Sequence, residues 1–154
     1  MTSMQQSQWQ QKAVQSFDTG YNCAQSVFVA FAPALGLDEK TALKIASTFG
    51  GGMHRGATCG ALTGAMMALG LAAGFSEYSP EAKDEIGGLT RELVLRWQDQ
   101  FGELDCRDIL QIDPCDPEQK QAAREAGILA ERCPNCVNGA VQILSDILRE
   151  LDVL

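Results

Sequence analysis

The stretch that decides the fold runs from residue 57 to residue 75 and reads ATCGALTGAMMALGLAAGF. It carries no charged residue, and small residues recur at every fourth position: Gly60, Gly64, Ala68 and Ala72. Positions four apart share one face of an α-helix, so this stripe leaves a face on which another helix backbone can pack closely. Because a glycine costs a helix interior about 1 kcal/mol, close packing must offset that cost. We therefore expect a buried Gly/Ala-rich helix at the centre of a bundle, and Gly64→Leu should destabilise it.

The same stretch is close to the length at which an apolar helix can span a membrane. It is rich in Ala and Gly rather than in Leu and Ile, however, and its flanks show no asymmetry of Lys and Arg that would orient it. The composition favours a buried helix inside a domain over membrane insertion.

The rest of the chain shows the periodicity of helices on both sides of this stretch. Apolar residues recur at three and four positions, and no segment alternates with the two-residue period of a strand. The sequence therefore predicts an all-α, single-domain bundle of about seven or eight helices over residues 1–154. Cap residues, prolines and glycines place the helices from Ser3 to Asp18, from Asn22 to Gly36, from Asp38 to Gly50, after Thr58, from Ser79 to Gly102, after Asp105, after Asp116 and from Pro134 onward.

Composition and charge exclude some classes of partner. The chain has 154 residues, with 12 Lys and Arg against 20 Asp and Glu, which gives a net charge of −8. No basic cluster is available to neutralise phosphates, so we expect no nucleic-acid partner. The N-terminal residues MTSMQQSQWQQK are polar and lack the apolar core of a signal peptide, which favours a cytoplasmic protein. In a reducing compartment, six cysteines are more typical of ligands, catalytic thiols or buried apolar residues than of structural disulfides.

Four of the six cysteines are predicted at the beginning of a helix. They are Cys23 after the cap Asn22, Cys59 after Thr58, Cys106 after Asp105, and Cys133, which itself takes the cap position before Pro134. A helix start presents unpaired N–H groups and the positive end of the macrodipole, so a thiol there ionises more easily than a free one. The shared placement predicts one site assembled from several helix starts.

The glycine-rich turn before Cys59 is the second feature with chemical potential. Gly51, Gly52 and Gly56 allow a left-handed backbone, and such a turn can direct N–H groups at an anion, either the Cys59 thiolate or a bound cofactor. Arg55 is a permanent cation beside it, and His54, the only histidine, can lower the pKa of a thiol or bind a metal. The alternative is a tight corner between two helices with Cys59 merely buried.

Several segments resemble one known family. They are GYNCAQ around Cys23, GGGMHRGATCGALTGA with its CGAxxG core, and the later LDCRDIL and CPNCV. Together they are similar to the C_GCAxxG_C_C family of redox-active proteins, and the resemblance covers about residues 17–148. It implies four signature cysteines, which fall here on Cys23, Cys59, Cys106 and Cys133. The family name implies redox activity without a defined substrate, and Cys115 and Cys136 are additional to its pattern.

The pair Cys133 and Cys136 forms a CxxC motif, which serves in dithiol redox chemistry and also as half of a metal site. Three hypotheses therefore stay open. The first is a redox centre, and hence an oxidoreductase acting in electron transfer or thiol–disulfide exchange, with Cys59 as the most acidic thiol. The second is a zinc (Zn) or iron–sulfur cluster held by Cys23, Cys59, Cys106 and Cys133, with His54 as a further ligand. The third is a structural or interaction protein with inert buried cysteines. The redox partner and any homo-oligomer are not specified by the sequence.

Overall fold

The computed structural model describes residues 2–154, which fold into one all-α domain. Eight α-helices follow one another through these residues: α1 (Ser3–Thr19), α2 (Cys23–Phe31), α3 (Glu39–Ala46), α4 (Gly60–Ala73), α5 (Pro80–Phe101), α6 (Cys106–Leu110), α7 (Pro117–Glu125) and α8 (Ile128–Glu150). The only strand-like pairing described is an isolated antiparallel bridge between Thr58 and Asp105. The predicted all-α fold is confirmed.

Helix α4 is central, and α2 lies directly against its stripe of small residues. A β-carbon placed on Gly64 would lie 2.7 Å from the carbonyl oxygen of Ala24 and 3.1 Å from its Cα. The absence of a side chain at Gly64 therefore permits the approach of the two helices. Burial covers the first half of α4, whereas Leu71 near its end is 40% exposed. Within residues 2–154, no helix has the length and apolar character needed to cross a membrane.

The core is completed by α1, α5 and α8, which pack around the α2 and α4 pair. The Trp9 ring of α1 lies against Phe31 of α2 with ring centroids 4.9 Å apart. Trp97 of α5 is fully buried, and its indole N–H donates to the Glu103 carbonyl at 2.9 Å. This second contact fixes the end of α5 and the chain that follows it toward α6.

The start of the last helix differs from the sequence prediction. Helix α8 begins at Ile128 after Gly127, which has a φ of 78°, and Pro134 lies inside the helix. The prediction that Cys133 caps a helix opening at Pro134 is therefore wrong. A proline in a helix interior removes a hydrogen bond to the fourth residue before it, here Ala130. Ala130 is exposed, so water can satisfy its carbonyl, and the packing of α8 on the core outweighs the local preference of the proline.

Three other helix ends also shift. Cys59 itself occupies the cap position of α4, because Thr58 is engaged in the bridge to Asp105. Helix α2 ends at Phe31 and continues to Gly36 as a tighter 3₁₀ turn, Ala32–Leu35, which contains a proline. Helix α3 ends at Ala46 rather than at the glycines.

Candidate functional site: a cluster of five cysteines

The start of α2 is fixed from both sides of its cap residue. The Asn22 side chain accepts a hydrogen bond from the Gln25 N–H at 2.8 Å, and the Gln25 side chain accepts from the Asn22 N–H at 3.0 Å. The Asn22 amide also donates to the Ser47 carbonyl at 3.2 Å, just beyond α3. Gly50 makes room for this, because a β-carbon there would lie 2.7 Å from the Asn22 Cβ. Cys23, the first residue of α2, is therefore held in a defined position.

The starts of α4 and α6 are joined by the isolated bridge. The Cys59 N–H donates to the Leu104 carbonyl at 2.8 Å, and the Cys106 N–H donates to the Ala57 carbonyl at 2.6 Å. Two short extended segments thus align side by side directly before two helices. This pairing brings Cys59 and Cys106 to the same end of the bundle.

Gly60 brings the start of α2 to the start of α4. A β-carbon on Gly60 would lie 3.2 Å from the Cys23 Cβ and 3.1 Å from the Ala24 nitrogen. Cys23 therefore lies next to the residue that follows Cys59. The glycine of the CGAxxG core acts as a spacer of minimal size between two cysteine-bearing helix starts.

Helix α8 packs on α4 and α6 and supplies two more thiols from successive positions of one face. Hydrogen bonding to Cys23 is the largest influence on the pKa of Cys133, and hydrogen bonding to Cys59 is the largest influence on the pKa of Cys136, so each of these thiols is paired with one on another helix. We call Cys23 and Cys133 the outer pair, because both are partly exposed. We call Cys59 and Cys136 the inner pair, because they are only 6% and 3% exposed. The thiol partners are therefore found across helices and not within the CxxC motif.

The two thiols of the inner pair differ in acidity. The hydrogen bond from the Cys136 thiol lowers the pKa of Cys59, and the N–H groups of Ala61 and Leu62 at the start of α4 act in the same direction against burial. The Cys59 side chain accepts no capping hydrogen bond in the structure. The N–H groups therefore stabilise the ionised form of Cys59 more than its neutral form. The same pairing, together with burial, raises the pKa of Cys136. Cys59 is thus the more acidic thiol of the inner pair, and Cys136 is the less acidic one.

The two thiols of the outer pair also differ in acidity. The hydrogen bond from Cys23 lowers the pKa of Cys133, and the Lys120 ammonium group adds to that effect. The pKa of Cys23 is raised well above its ordinary value, first by its hydrogen bond to Cys133 and then by burial. Burial and the neighbouring thiols raise the pKa of Cys106 to about 12, so this thiol keeps its proton at neutral pH.

The glycine-rich turn lies beside the cluster as a rigid corner. Four consecutive residues, from Gly51 to His54, have φ values between 57° and 64°, which is a left-handed turn. A β-carbon on Gly52 would lie 2.3 Å from the Ala57 carbonyl oxygen, so the chain doubles back on itself there. Arg107 of α6 ties the end of the turn down, because its guanidinium group donates to the carbonyls of Arg55 and Gly56 at 2.7 and 3.3 Å.

Several candidates in this turn lie apart from the thiols. The side chains of His54 and Arg55 are exposed, and the groups that lower the pKa of Cys59 are a thiol and the helix N–H groups. Cys115 is exposed as well, and its thiol donates to the His54 carbonyl at 2.9 Å. Of the proposed cofactor-binding residues, Gly51 faces the pocket described next, and Gly52 and Gly56 are buried in the corner.

A pocket of about 480 Å³ opens over the outer pair. Cys23, Cys106 and Cys133 contribute to its lining, together with Lys120 and Arg124 of α7. The inner pair is not part of this lining, although Cys136 touches a separate hollow of about 310 Å³ beside Arg132 and Asn135. The sequence reasoning missed Lys120 and Arg124. Their only signal was a spacing of four residues on a polar helix, which is typical of many solvent-facing helices.

The cysteines form pairs and do not form an evident metal site. In the part of the chain that the structure describes, no three His, Cys, Asp or Glu side chains are arranged to hold a metal ion. The two pairs present their thiols to each other instead.

The fold and the site define a cysteine-rich all-α protein, with a buried and a partly exposed pair of cysteines at one end of a helical bundle. The family model described as "Putative redox-active protein (C_GCAxxG_C_C)" matches residues 21–147, and the chain belongs to that family. This membership supports a redox-related role. A search of curated proteins and a search of solved structures each found no match to the chain.

Proposed function

We propose that this protein is a thiol–disulfide oxidoreductase whose reactive dithiol is the outer pair, Cys23 and Cys133. The observation that carries the proposal is the pairing of these two partly exposed cysteines, which come from different helices and line the same pocket. A thiolate is the nucleophile in disulfide exchange, and a second thiol within reach resolves the mixed disulfide. The outer pair supplies both.

The difference in pKa between Cys23 and Cys133 suggests the role of each. Cys133 is the attacking thiolate, because the Cys23 thiol and the Lys120 charge both stabilise it. It attacks one sulfur of a disulfide substrate, forms a mixed disulfide and releases the first thiolate of the substrate. Cys23 then gives up its proton and attacks the Cys133 sulfur, which releases the second thiolate. The protein has lost two electrons to the substrate; the Cys23 proton goes to one of the released thiolates, and the other takes a proton from water.

The inner pair is a second dithiol placed behind the first. The charge of Cys59 acts on both Cys23 and Cys133, so the inner thiolate lies near the outer sulfurs. Attack of Cys59 on the outer disulfide, followed by attack of Cys136, regenerates the outer dithiol and leaves an inner disulfide. The electron count is unchanged within the protein, and the oxidised state moves away from solvent. Such a protein rests with both pairs reduced, which is the condition expected of the cytoplasm.

The test is the order in which disulfides form. The fully reduced protein is treated with one equivalent of bis(hydroxyethyl) disulfide, and the products are mapped as peptides by mass spectrometry. We expect the Cys23–Cys133 disulfide as the first product and its loss in Cys133→Ser. Cys115→Ser, which removes another accessible thiol, should leave the first product unchanged. A first disulfide that leaves both Cys23 and Cys133 free would overturn the proposal.

Metal and sulfide analysis of anaerobically purified protein tests the competing hypothesis of a metal or cluster site. Stoichiometric metal together with outer thiols that do not react with disulfides would replace thiol exchange by metal binding. Absence of stoichiometric metal and a full count of reactive outer thiols is the expected result.

A further inference from the structure

The pocket over the outer pair has the size and the lining of a site for a small molecule. Its volume of about 480 Å³ lies within the usual range of ligand pockets, about 300–1,000 Å³. Apart from the thiols and the two cations, its wall is largely apolar and aromatic, and includes Phe17, Tyr21, Leu110, Pro114 and Leu129. A ligand that fills it lies against Cys133, which forms part of the wall.

The charge of the pocket is opposite to the charge of the whole protein. The chain carries a net charge of −8, yet the lining contains Lys120 and Arg124 and no Asp or Glu. The two cations lie four residues apart on α7, so both occupy one face of that helix. Neither forms an ion pair with another residue of the described chain. Their charge is therefore available to a ligand.

We propose that this pocket selects small anionic disulfides, compounds with carboxylates on either side of the S–S bond, as the oxidants of the outer pair. The proposal rests on the thiol–disulfide exchange proposed above and names its substrate class. The carboxylates bind Lys120 and Arg124, and the apolar wall holds the carbon skeleton. The S–S bond then lies over the Cys133 sulfur.

The disulfide substrate is itself the oxidant, and it accepts the two electrons that the outer pair loses. Cys133 attacks the nearer sulfur of the anionic disulfide, the S–S bond breaks, and one carboxylate-bearing thiolate leaves. Cys23 completes the exchange and releases the second. One disulfide is reduced to two thiols, and the Cys23–Cys133 dithiol is oxidised to a disulfide.

A set of three matched disulfides tests the selection. Dithiodipropionate carries a negative charge at each end, bis(hydroxyethyl) disulfide is neutral, and cystamine carries a positive charge at each end. The second-order rate constant for oxidation of the reduced protein is measured with each at low ionic strength. The net charge of the protein alone favours cystamine, whereas the pocket favours dithiodipropionate. We expect dithiodipropionate to react at least about tenfold faster than cystamine, the lower end of the rate effects of electrostatic steering.

Charge-matched variants locate the effect. In Lys120→Gln/Arg124→Gln the preference for dithiodipropionate should disappear or reverse. Lys40→Gln/Lys44→Gln removes the same charge at the same spacing from exposed positions of α3 and should keep the preference. Each rate is corrected for the intrinsic reactivity of the disulfide with a small thiol.

The outcomes separate this inference from the proposed function. Oxidation by all three disulfides at similar rates, or fastest by cystamine, overturns the anionic selection and leaves thiol–disulfide exchange standing. An equal loss of preference in both double variants also overturns it, because the effect is then one of net charge. No oxidation of the outer pair by any of the three overturns both proposals.

Discussion

Replacing Gly64 by alanine tests the contact on which the whole site is built. The added β-carbon would lie 2.7 Å from the Ala24 carbonyl oxygen, 3.1 Å from the Ala24 Cα and 3.2 Å from the Val27 Cβ. Two of these atoms belong to the backbone of α2, so the overlap cannot be relieved by turning a side chain. Helices α2 and α4 must move apart or shift along each other.

A second glycine on the same helix provides the reference. Gly70 is exposed, and a β-carbon there meets no atom within 4 Å. Both substitutions gain the helix propensity of alanine over glycine, about 1 kcal/mol, so this gain cancels in the comparison. The difference between the two variants is then the cost of overpacking, about 1–3 kcal/mol. Gly70→Ala should be slightly more stable than the natural protein, and Gly64→Ala clearly less stable than Gly70→Ala.

Thermal unfolding of the two reduced variants measures the difference. For a chain of this size, 1 kcal/mol corresponds to roughly 2–4 °C in Tm, so a cost of about 2 kcal/mol separates the two midpoints by roughly 4–8 °C. Equal midpoints would refute the argument, since they would mean that α2 does not lie against this face of α4. The rate of Cys23–Cys133 disulfide formation should also fall in Gly64→Ala and not in Gly70→Ala, because Cys23 precedes the displaced Ala24.

Three further predictions follow from the groups around the cluster. Cys136→Ala should raise the pKa of Cys59, and Cys136→Ser should largely restore it because a hydroxyl still donates; ultraviolet absorbance of the thiolate against pH measures both. Burial raises the pKa of Cys106 from 9.0 to about 12, so this thiol ionises at a lower pH in the unfolded chain than in the folded protein. The stability that Cys106 contributes is therefore present below pH 9 and is lost as the pH rises toward 12. Cys106→Ala should therefore flatten the alkaline loss in urea unfolding, and an unchanged slope would contradict this. Arg107→Ala should lower the free energy of unfolding by about 1 kcal/mol and speed amide hydrogen exchange at the end of the glycine-rich turn. As a control, Arg91→Ala on the exposed side of α5 should change neither the free energy of unfolding nor the exchange rate.

Local sequence signals were sufficient for most of the fold. Asn22 with Gln25, and Ser79 before Pro80, specify helix starts through side chains that bond to nearby N–H groups, and both caps are present. The small residues of α4 predicted its central position for the same reason, since close approach depends on the absent side chain at Gly64. The start of α8 was missed because Gly127 and Pro134 both satisfy local rules for a helix start. Packing of the whole helix decided between them.

The sequence identified the cysteines of the candidate cluster but not which of them pair. The sequence could name the cysteines, since each thiol is visible as a residue. Which thiol meets Cys133 depends on the rotation of α8 about its axis and on the spacing set by Gly60, and both are tertiary properties. The same holds for Lys120, whose position over the pocket depends on how the chain between α6 and α7 turns. Gln111 begins that turn with a φ of 59°. This left-handed conformation is not predictable from a glutamine in the sequence.

Pro134 gives α8 a mechanical property that an unbroken helix would lack. It lies between Cys133 and Cys136 and cannot donate to the Ala130 carbonyl. The helix therefore lacks one backbone hydrogen bond in the turn that contains Cys133. In the proposed exchange, a bond between Cys23 and Cys133 would draw the turn that contains Cys133 toward α2, and a helix that lacks a hydrogen bond bends more easily there. Cys136 lies in the buried core. In the proposed exchange, oxidation of the outer pair would therefore move Cys133 without displacing Cys136 from the core.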